Sequence, residues 1–281
     1  MKRRNLQVQV TVALTMAAIG FAAPTSVQAQ QFTSAKAGSA SPAVTAMETA
    51  SSQGKYLFVY FWKQNDQPTQ SMQGIFQEAT GRMADEADAI SVQITDPSNA
   101  AIVKQFGVSR APMPLALAIA PNGAVTAGLP VSFSEQQLRE AIVSHGTAAC
   151  LKAMQDRKTV LLCVKHRTGP NAFQGAQELT LDKRFAASTQ IVEVDPADSA
   201  ERKFLQSLEI DSTSENGVMV VLTPPGQRVA TFAEHATKAQ IVERLTELSS
   251  ACCPGGQCGP DGTCAPGQEC CPGGNCPPAK K

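Results

Sequence analysis

Tyr56-Leu57-Phe58-Val59-Tyr60-Phe61-Trp62-Lys63-Gln64-Asn65-Asp66-Gln67-Pro68-Thr69-Gln70-Ser71-Met72 is the stretch on which the reading of this 281-residue chain turns. Seven apolar or aromatic residues run without alternation, which predicts a strand buried on both faces of a sheet. A polar turn holding one proline follows. Then Met72, Ile75, Phe76 and Ala79 recur at i, i+3, i+4 and i+7, the spacing of an amphipathic helix.

Outward from this stretch the chain keeps alternating strand and helix signals. Before it, Pro42 to Ser52 reads as a short helix with Val44, Met47 and Ala50 on one face. After it, Ala89 to Ile94 reads as a second strand, ended by Asp96-Pro97. Ile102, Val103 and Phe106 make a short helix stopped by Gly107. Leu115 to Ile119 is a third apolar run, and Pro121-Asn122-Gly123 suits a hairpin turn. Ser134 to Ser144 reads as a closing helix, with Ser134 and Gln137 spaced as a capping box.

The second half repeats these landmarks. Thr159 to Val164 is a strand, and Ile191 to Pro196 ends in the same Asp-Pro as the first copy. Phe204, Leu205 and Leu208 match the Ile102 to Phe106 helix. Val218 to Leu222 is the next strand, followed by the turn Pro224-Pro225-Gly226. Thr237 and Gln240 repeat the capping box ahead of Ile241, Leu245 and Leu248. The Asp of Asp-Pro precedes the capping Ser or Thr by 38 residues in one half and 42 in the other. So many landmarks in one order imply an internal repeat of about 100 residues.

In its order of elements, and in the Phe-Trp end of its first strand, the chain resembles the thioredoxin superfamily. The resemblance covers about 55–144 and, more weakly, 158–249. It implies an α/β fold of two tandem thioredoxin-like domains, each a central mixed sheet flanked by helices. In that family the turn after Phe-Trp carries Cys-Gly-Pro-Cys; here Asp66-Gln67-Pro68-Thr69 stands in that register. The family's reaction needs a thiolate at a helix N-terminus, where the dipole lowers its pKa, and a second thiol to resolve the mixed disulfide. An Asp there caps the helix, and a Thr hydroxyl resolves nothing. The degenerate turn is therefore expected to be redox-dead.

The family also places a cis-proline opposite that turn, with backbone exposed for pairing with an extended peptide. Gly107-Val108-Ser109-Arg110-Ala111-Pro112-Met113 resembles the preceding pattern and points to Pro112; Pro114 is the rival, because its distance to Asn122-Gly123 suits a usual strand length. The second copy has Ser212 to Gly217 at this place, without proline, and His166-Arg167-Thr168-Gly169-Pro170 after its first strand, without a cysteine pair. It reads as the more structural copy.

At the N-terminus, Lys2-Arg3-Arg4, a mostly apolar Val8 to Ala23 and the small residues Val27 and Ala29 read as a signal peptide, 1–29, with cleavage after Ala29. The alternative is an uncleaved anchor. Export to a periplasmic or extracellular compartment follows from cleavage, with no membrane span remaining. The rest divides into a leader, 30–42, a first domain, 43–147, a degenerate second domain, 148–250, and a tail, 251–281. Loss of the three basic signal residues leaves 21 Lys and Arg against 24 Asp and Glu, a net charge of −3. No basic stripe is present, so nucleic-acid binding lacks electrostatic support.

The nine cysteines divide into two groups. Cys150 and Cys163, on the first helix and first strand of the second copy, form either a candidate disulfide or two buried thiols. Cys252, Cys253, Cys258, Cys264, Cys270, Cys271 and Cys276 lie in a Gly- and Pro-rich tail that lacks the apolar residues for a core and is expected to be disordered. Two readings stay open for it: disulfides, favoured by export, with paired Cys-Cys-Pro units that resemble granulin-type modules; or thiolate binding of Cu or Zn. Seven is odd, so one thiol is left for an intermolecular bridge or for reaction. His145, His166 and His235 are dispersed and make no metal or triad spacing. The sequence thus points to a non-catalytic, exported thioredoxin-like protein without cofactor that binds a protein or peptide, or scaffolds one, in the cell envelope. The alternative is a thiol or soft-metal handler acting through the tail.

Overall fold

The computed structural model of the chain describes residues 41–165, 173–211 and 216–251. The chain divides into two units, Met1–Ser39 and Ala40–Lys281, and every described residue lies in the second. The signal, most of the leader, the His166 to Pro170 turn and the seven tail cysteines lie outside the described residues.

Helix α1 (Pro42–Ser52) leads into strand β1 (Tyr56–Trp62), helix α2 (Gln67–Gly81), strand β2 (Ala87–Gln93), helix α3 (Ala100–Gln105), strands β3 (Leu115–Ile119) and β4 (Val125–Pro130), and helix α4 (Glu135–Glu140). The second copy follows as α5 (His145–Gln155), β5 (Thr159–Val164), α6 (Gln174–Leu181), β6 (Thr189–Val194), α7 (Arg202–Ser207), β7 (Val218–Thr223), β8 (Gln227–Ala233) and α8 (Lys238–Ala251). The two sheets have the orders β2-β1-β3-β4 and β6-β5-β7-β8. In each, the first two strands are parallel and the hairpin strands antiparallel. Two tandem thioredoxin-like domains, each a mixed sheet between helices, are thus the architecture.

β1 is buried on both faces because helices cover both. Leu57, Val59 and Phe61 pack with residues of α1 and α3. Tyr56, Phe58 and Tyr60 pack with Phe76 and Ala79 of α2 and Leu138 of α4. The second sheet divides the same way. Val160, Leu162 and Val164 face Cys150 and Ala153 of α5 and Leu205 of α7. Leu161 and Cys163 face Ala176 and Leu179 of α6 and Ile241 of α8.

Strands β1 and β3 match β5 and β7 at an offset of 103 residues, since Leu57 pairs with Ile119 as Val160 pairs with Leu222, and β2 and α3 match β6 and α7 at 102. The irregularity between Ala118 and Ile119 recurs between Val221 and Leu222. Left-handed backbone recurs too. Gly54 (φ 70°) corresponds to Arg157 (φ 59°), Gly107 (φ 64°) to Glu209 (φ 54°), and Gly123 (φ 81°) to Gly226 (φ 129°).

Three sequence expectations change. The closing helix of the first copy ends at Glu140 rather than Ser144. The Tyr56 hydroxyl donates to the Val143 carbonyl at 2.8 Å and accepts its N–H at 3.1 Å, so this backbone is held in a turn. Ser144 instead caps α5 by accepting the Thr147 N–H. Helix α6 was not legible in the sequence; only Ala176 and Leu179 of its apolar residues face the core, and Leu181 is exposed. The candidate disulfide does not form: Cys150 and Cys163 are free and buried. They sit on opposite faces of the second sheet, because Cys163 shares the strand parity of Leu161, away from α5.

Candidate functional site

The degenerate turn stands at the C-terminal end of β1. Asp66 is extended (φ −87°, ψ 173°) and caps α2, its Oδ1 accepting the Thr69 N–H at 3.0 Å. Pro68 fits in the first helical turn, where a missing N–H is tolerated. Hydrogen bonds from Thr69 hold the Asp66 carboxyl below the usual carboxylate range. Thr69 is buried, and its carbonyl accepts the Tyr60 hydroxyl at 2.7 Å. Burial, with the nearby Asp66 charge, pushes Tyr60 up to about 12. Tyr60, Phe76 and Phe133 form an aromatic trio beneath the turn, with centroids 5.3, 6.3 and 6.5 Å apart. Asp66, Gln67, Pro68 and Thr69 therefore make a capped, neatly closed helix start without a nucleophilic thiol.

The partner segment is the loop into β3. Leu115 pairs with Phe61, which sets Pro114 beside the end of β1. Of the two candidates Pro114 follows a cis peptide, Met113–Pro114, as Pro225 does in the β7–β8 turn; Pro112 lies two residues further out and is exposed. The Pro114 carbonyl accepts the Val131 N–H at 2.7 Å. Val131 has φ 68°, and the following N–H, of Ser132, bonds back to Pro130 at 2.8 Å, closing a three-residue turn. A β-branched residue at positive φ is strained, and this one is also 55% exposed. Met113 N–H and C=O meet no hydrogen-bond partner among the described residues. This end of the first domain thus presents unpaired backbone, an exposed valine and a capped helix start. Sequence reasoning missed Val131, which carries no local signal for left-handed backbone.

In the second copy the corresponding turn and most of the corresponding loop, 166–172 and 212–215, lie outside the described residues. Cys163 stands where Tyr60 does, and the thiols of Cys150 and Cys163 are both pushed up to about 12 by burial. Such thiols are poor nucleophiles near neutral pH. Among the described residues no group of three or more His, Cys, Asp or Glu is placed to hold a metal. Likewise, no helix among them is long and apolar enough to cross a membrane.

A cleft of about 720 Å³ lies at the other end of the first domain, between α1, the β3–β4 turn and α5. Several of its polar groups are already engaged. Gln155 bonds both the N–H and the C=O of Val125, Ser51 donates to the Pro121 carbonyl, and Lys152 pairs with Asp156. It reads as a seam between the copies.

No protein-family model and no curated protein matches this chain. Solved structures similar to it include thioredoxin O2 from Arabidopsis thaliana, with 15% identity, a TM-score of 0.29, and 34% of this chain and 80% of that chain covered. Another is a disulphide isomerase from Xylella fastidiosa, with 13% identity, a TM-score of 0.30, and 40% and 95% covered. The thioredoxin-like description of the fold rests on the strand order and helix placement of the two sheets.

Proposed function

We propose that this chain is an exported, non-catalytic thioredoxin-like protein that binds an extended polypeptide or serves as a scaffold in the cell envelope. The observation that carries the reading is the Asp66–Thr69 turn. Its first position caps a helix with a carboxylate, and its second is a buried threonine whose carbonyl is tied to Tyr60. Neither can attack or resolve a disulfide. The neighbouring Met113 backbone retains the donor and acceptor that an extended peptide would need. Export rests on the N-terminal sequence, and the tail cysteines are proposed to be oxidised, with no resident metal.

The test uses the full chain and a variant in which the seven tail cysteines are Ser. Reduction of an insulin-type disulfide by the variant would overturn the non-catalytic reading. Absence of reduction, with peptide capture retained, supports it. Thiol titration and metal analysis of the exported protein check the tail. Stoichiometric Cu or Zn on reduced thiols would replace the disulfide reading with metal handling.

A further inference from the structure

The two copies differ sharply at one edge. β2 and β6 are the corresponding outer strands of their sheets, and among the described residues neither has a strand on its outer side. Parity fixes which groups face out. Tyr56 donates to the Glu86 carbonyl and Ile94 donates to the Trp62 carbonyl, so Asp88, Ile90 and Val92 bond inward to β1. Ala87, Ala89, Ser91 and Gln93 then turn their backbone outward. The Ala87 N–H is taken by Met83 O, and the Gln93 carbonyl by Asp96 and Asn99. What remains is a row unpaired among the described residues: the N–H of Ala89, Ser91 and Gln93 and the C=O of Ala87, Ala89 and Ser91.

The register Tyr56–Ala87 and Thr159–Thr189 matches Ala89 to Ile191 and Ser91 to Glu193. In the second copy Ile191 packs on the core with Phe185, and Glu193 pairs at 2.9 Å with Lys165, the residue that follows β5. A large side chain and a charge on an edge are devices that block further pairing. At the two matching positions the first copy has only a methyl group and a small hydroxyl, Ala89 and Ser91, and the charge on β2 is instead Asp88, beside Lys55. Ala89 and Ser91 are exposed, and a groove of about 340 Å³ opens between β2 and α2, with Phe76, Thr80, Gly81 and Ala87 among its walls. The other outer strand of that sheet, β4, ends in Pro130 and the strained Val131 turn.

We infer that the β2 edge is a second binding surface, one that takes an extended segment of a partner protein as an added strand. The segment's backbone pairs with Ala89, Ser91 and Gln93, and one aliphatic side chain enters the groove, where the second copy supplies its own Ile191. The carboxylates of Asp85, Glu86 and Asp88 at the start of β2, with the Lys55 amine 3.7 Å from Asp88, favour a basic residue at that end of the segment. This surface lies apart from Met113, so it stands or falls independently of the peptide reading above.

The probe is a fluorescein-labelled peptide of alternating valine and threonine with a lysine at each end, titrated into the full chain by fluorescence anisotropy. Saturable binding is expected. Ala89→Ile, which fills the groove as the second copy does, and Ser91→Pro, which removes one outward donor without touching β1, should each weaken it about tenfold or more. Circular dichroism confirms that both variants fold. Hydrogen exchange should slow at the Ala89, Ser91 and Gln93 amides when peptide binds. Absent binding, or binding unchanged in both variants, overturns the inference. Protection at Met113 alone overturns it while sustaining the end-of-domain reading. Concentration-dependent dimerisation of the free chain that both variants abolish would instead make the occupant a second copy, and would also overturn it.

Discussion

The Glu201 carboxylate accepts the Gly146 N–H at 2.7 Å and the Ser144 hydroxyl at 2.6 Å, and so closes the N-terminus of α5 from 55 residues along the chain. Glu201 is buried, and the bond to a free helix amide is one of the few ways such a carboxylate is accommodated. The equivalent residues in the first copy are Ser41 and Ala43, where a methyl group is accepted.

Gly146 has no room for that methyl group. A Cβ there would lie 2.6 Å from Val194 Cγ2 and 2.8 Å from Glu201 Oε2. Gly146→Ala is expected to destabilise the chain by about 1–3 kcal/mol, through overpacking against a strand that does not yield. Ala43→Gly in the first copy should cost less, since it removes contacts without forcing a clash. Urea denaturation of both variants checks the difference. An equal effect would mean that the Glu201 contact does not set the constraint.

Arg157 occupies a left-handed position that glycine fills in the first copy as Gly54. Left-handed backbone disfavours a residue with a Cβ, and glycine removes that strain at some loss of unfolded-state restriction. Arg157→Gly should therefore stabilise the second domain by about 0.5–1 kcal/mol. The reverse change, Gly54→Arg, should destabilise by a similar amount. Thermal melts of the two variants decide it.

Burial fixes the behaviour of Cys150 and Cys163. With both thiols pushed up to about 12 from an ordinary value of 9.0, the native state keeps them protonated where the unfolded chain ionises them. The unfolded state then binds fewer protons above pH 9.0, so the stability linked to these groups is intact below that pH. It is lost as pH rises towards 12. Peptide-resolved alkylation should leave both unlabelled in the native protein at neutral pH and label both in guanidinium chloride. Rapid native labelling of either would refute the burial.

Asp66 runs the other way. Hydrogen bonds from Thr69 lower its folded pKa, so its contribution is present above the unfolded carboxylate value of about 4 and fades as pH falls through the folded value. Asp66→Ala should be less stable than the parent at pH 7, and the gap should narrow in acid. Asp66→Asn, which still accepts the Thr69 N–H, should retain more stability at pH 7 than the alanine variant and lose the pH dependence. Midpoints of urea denaturation at two pH values give the comparison.

Strands and caps were the most legible features. β1, β3 and β5 run over the residues their apolar runs mark, because a strand covered on both faces needs an uninterrupted apolar sequence. Both capping boxes form: Ser134 with Gln137, and Thr237 with Gln240. The closing helix of the first domain was overrun, because the bonds that end it come from Tyr56, 87 residues away. The pairing of Cys150 with Cys163 failed for a related reason. Strand parity is local, but which side of a sheet a helix covers is not.

By itself, the sequence determined the repeat, the loss of both thiols from the turn after Trp62, and the helix cap that took their place. Each depends on residue identity and near-neighbour spacing, which local sterics and hydrogen bonding translate directly. Tertiary structure alone decided that Pro114 and not Pro112 follows a cis peptide, that Val131 stands strained and exposed beside it, and that the outer strand β2 exposes Ala89 where β6 packs Ile191 on the core. Those features depend on which backbone groups face a neighbouring strand, and pairing across a sheet joins residues that are far apart in the chain.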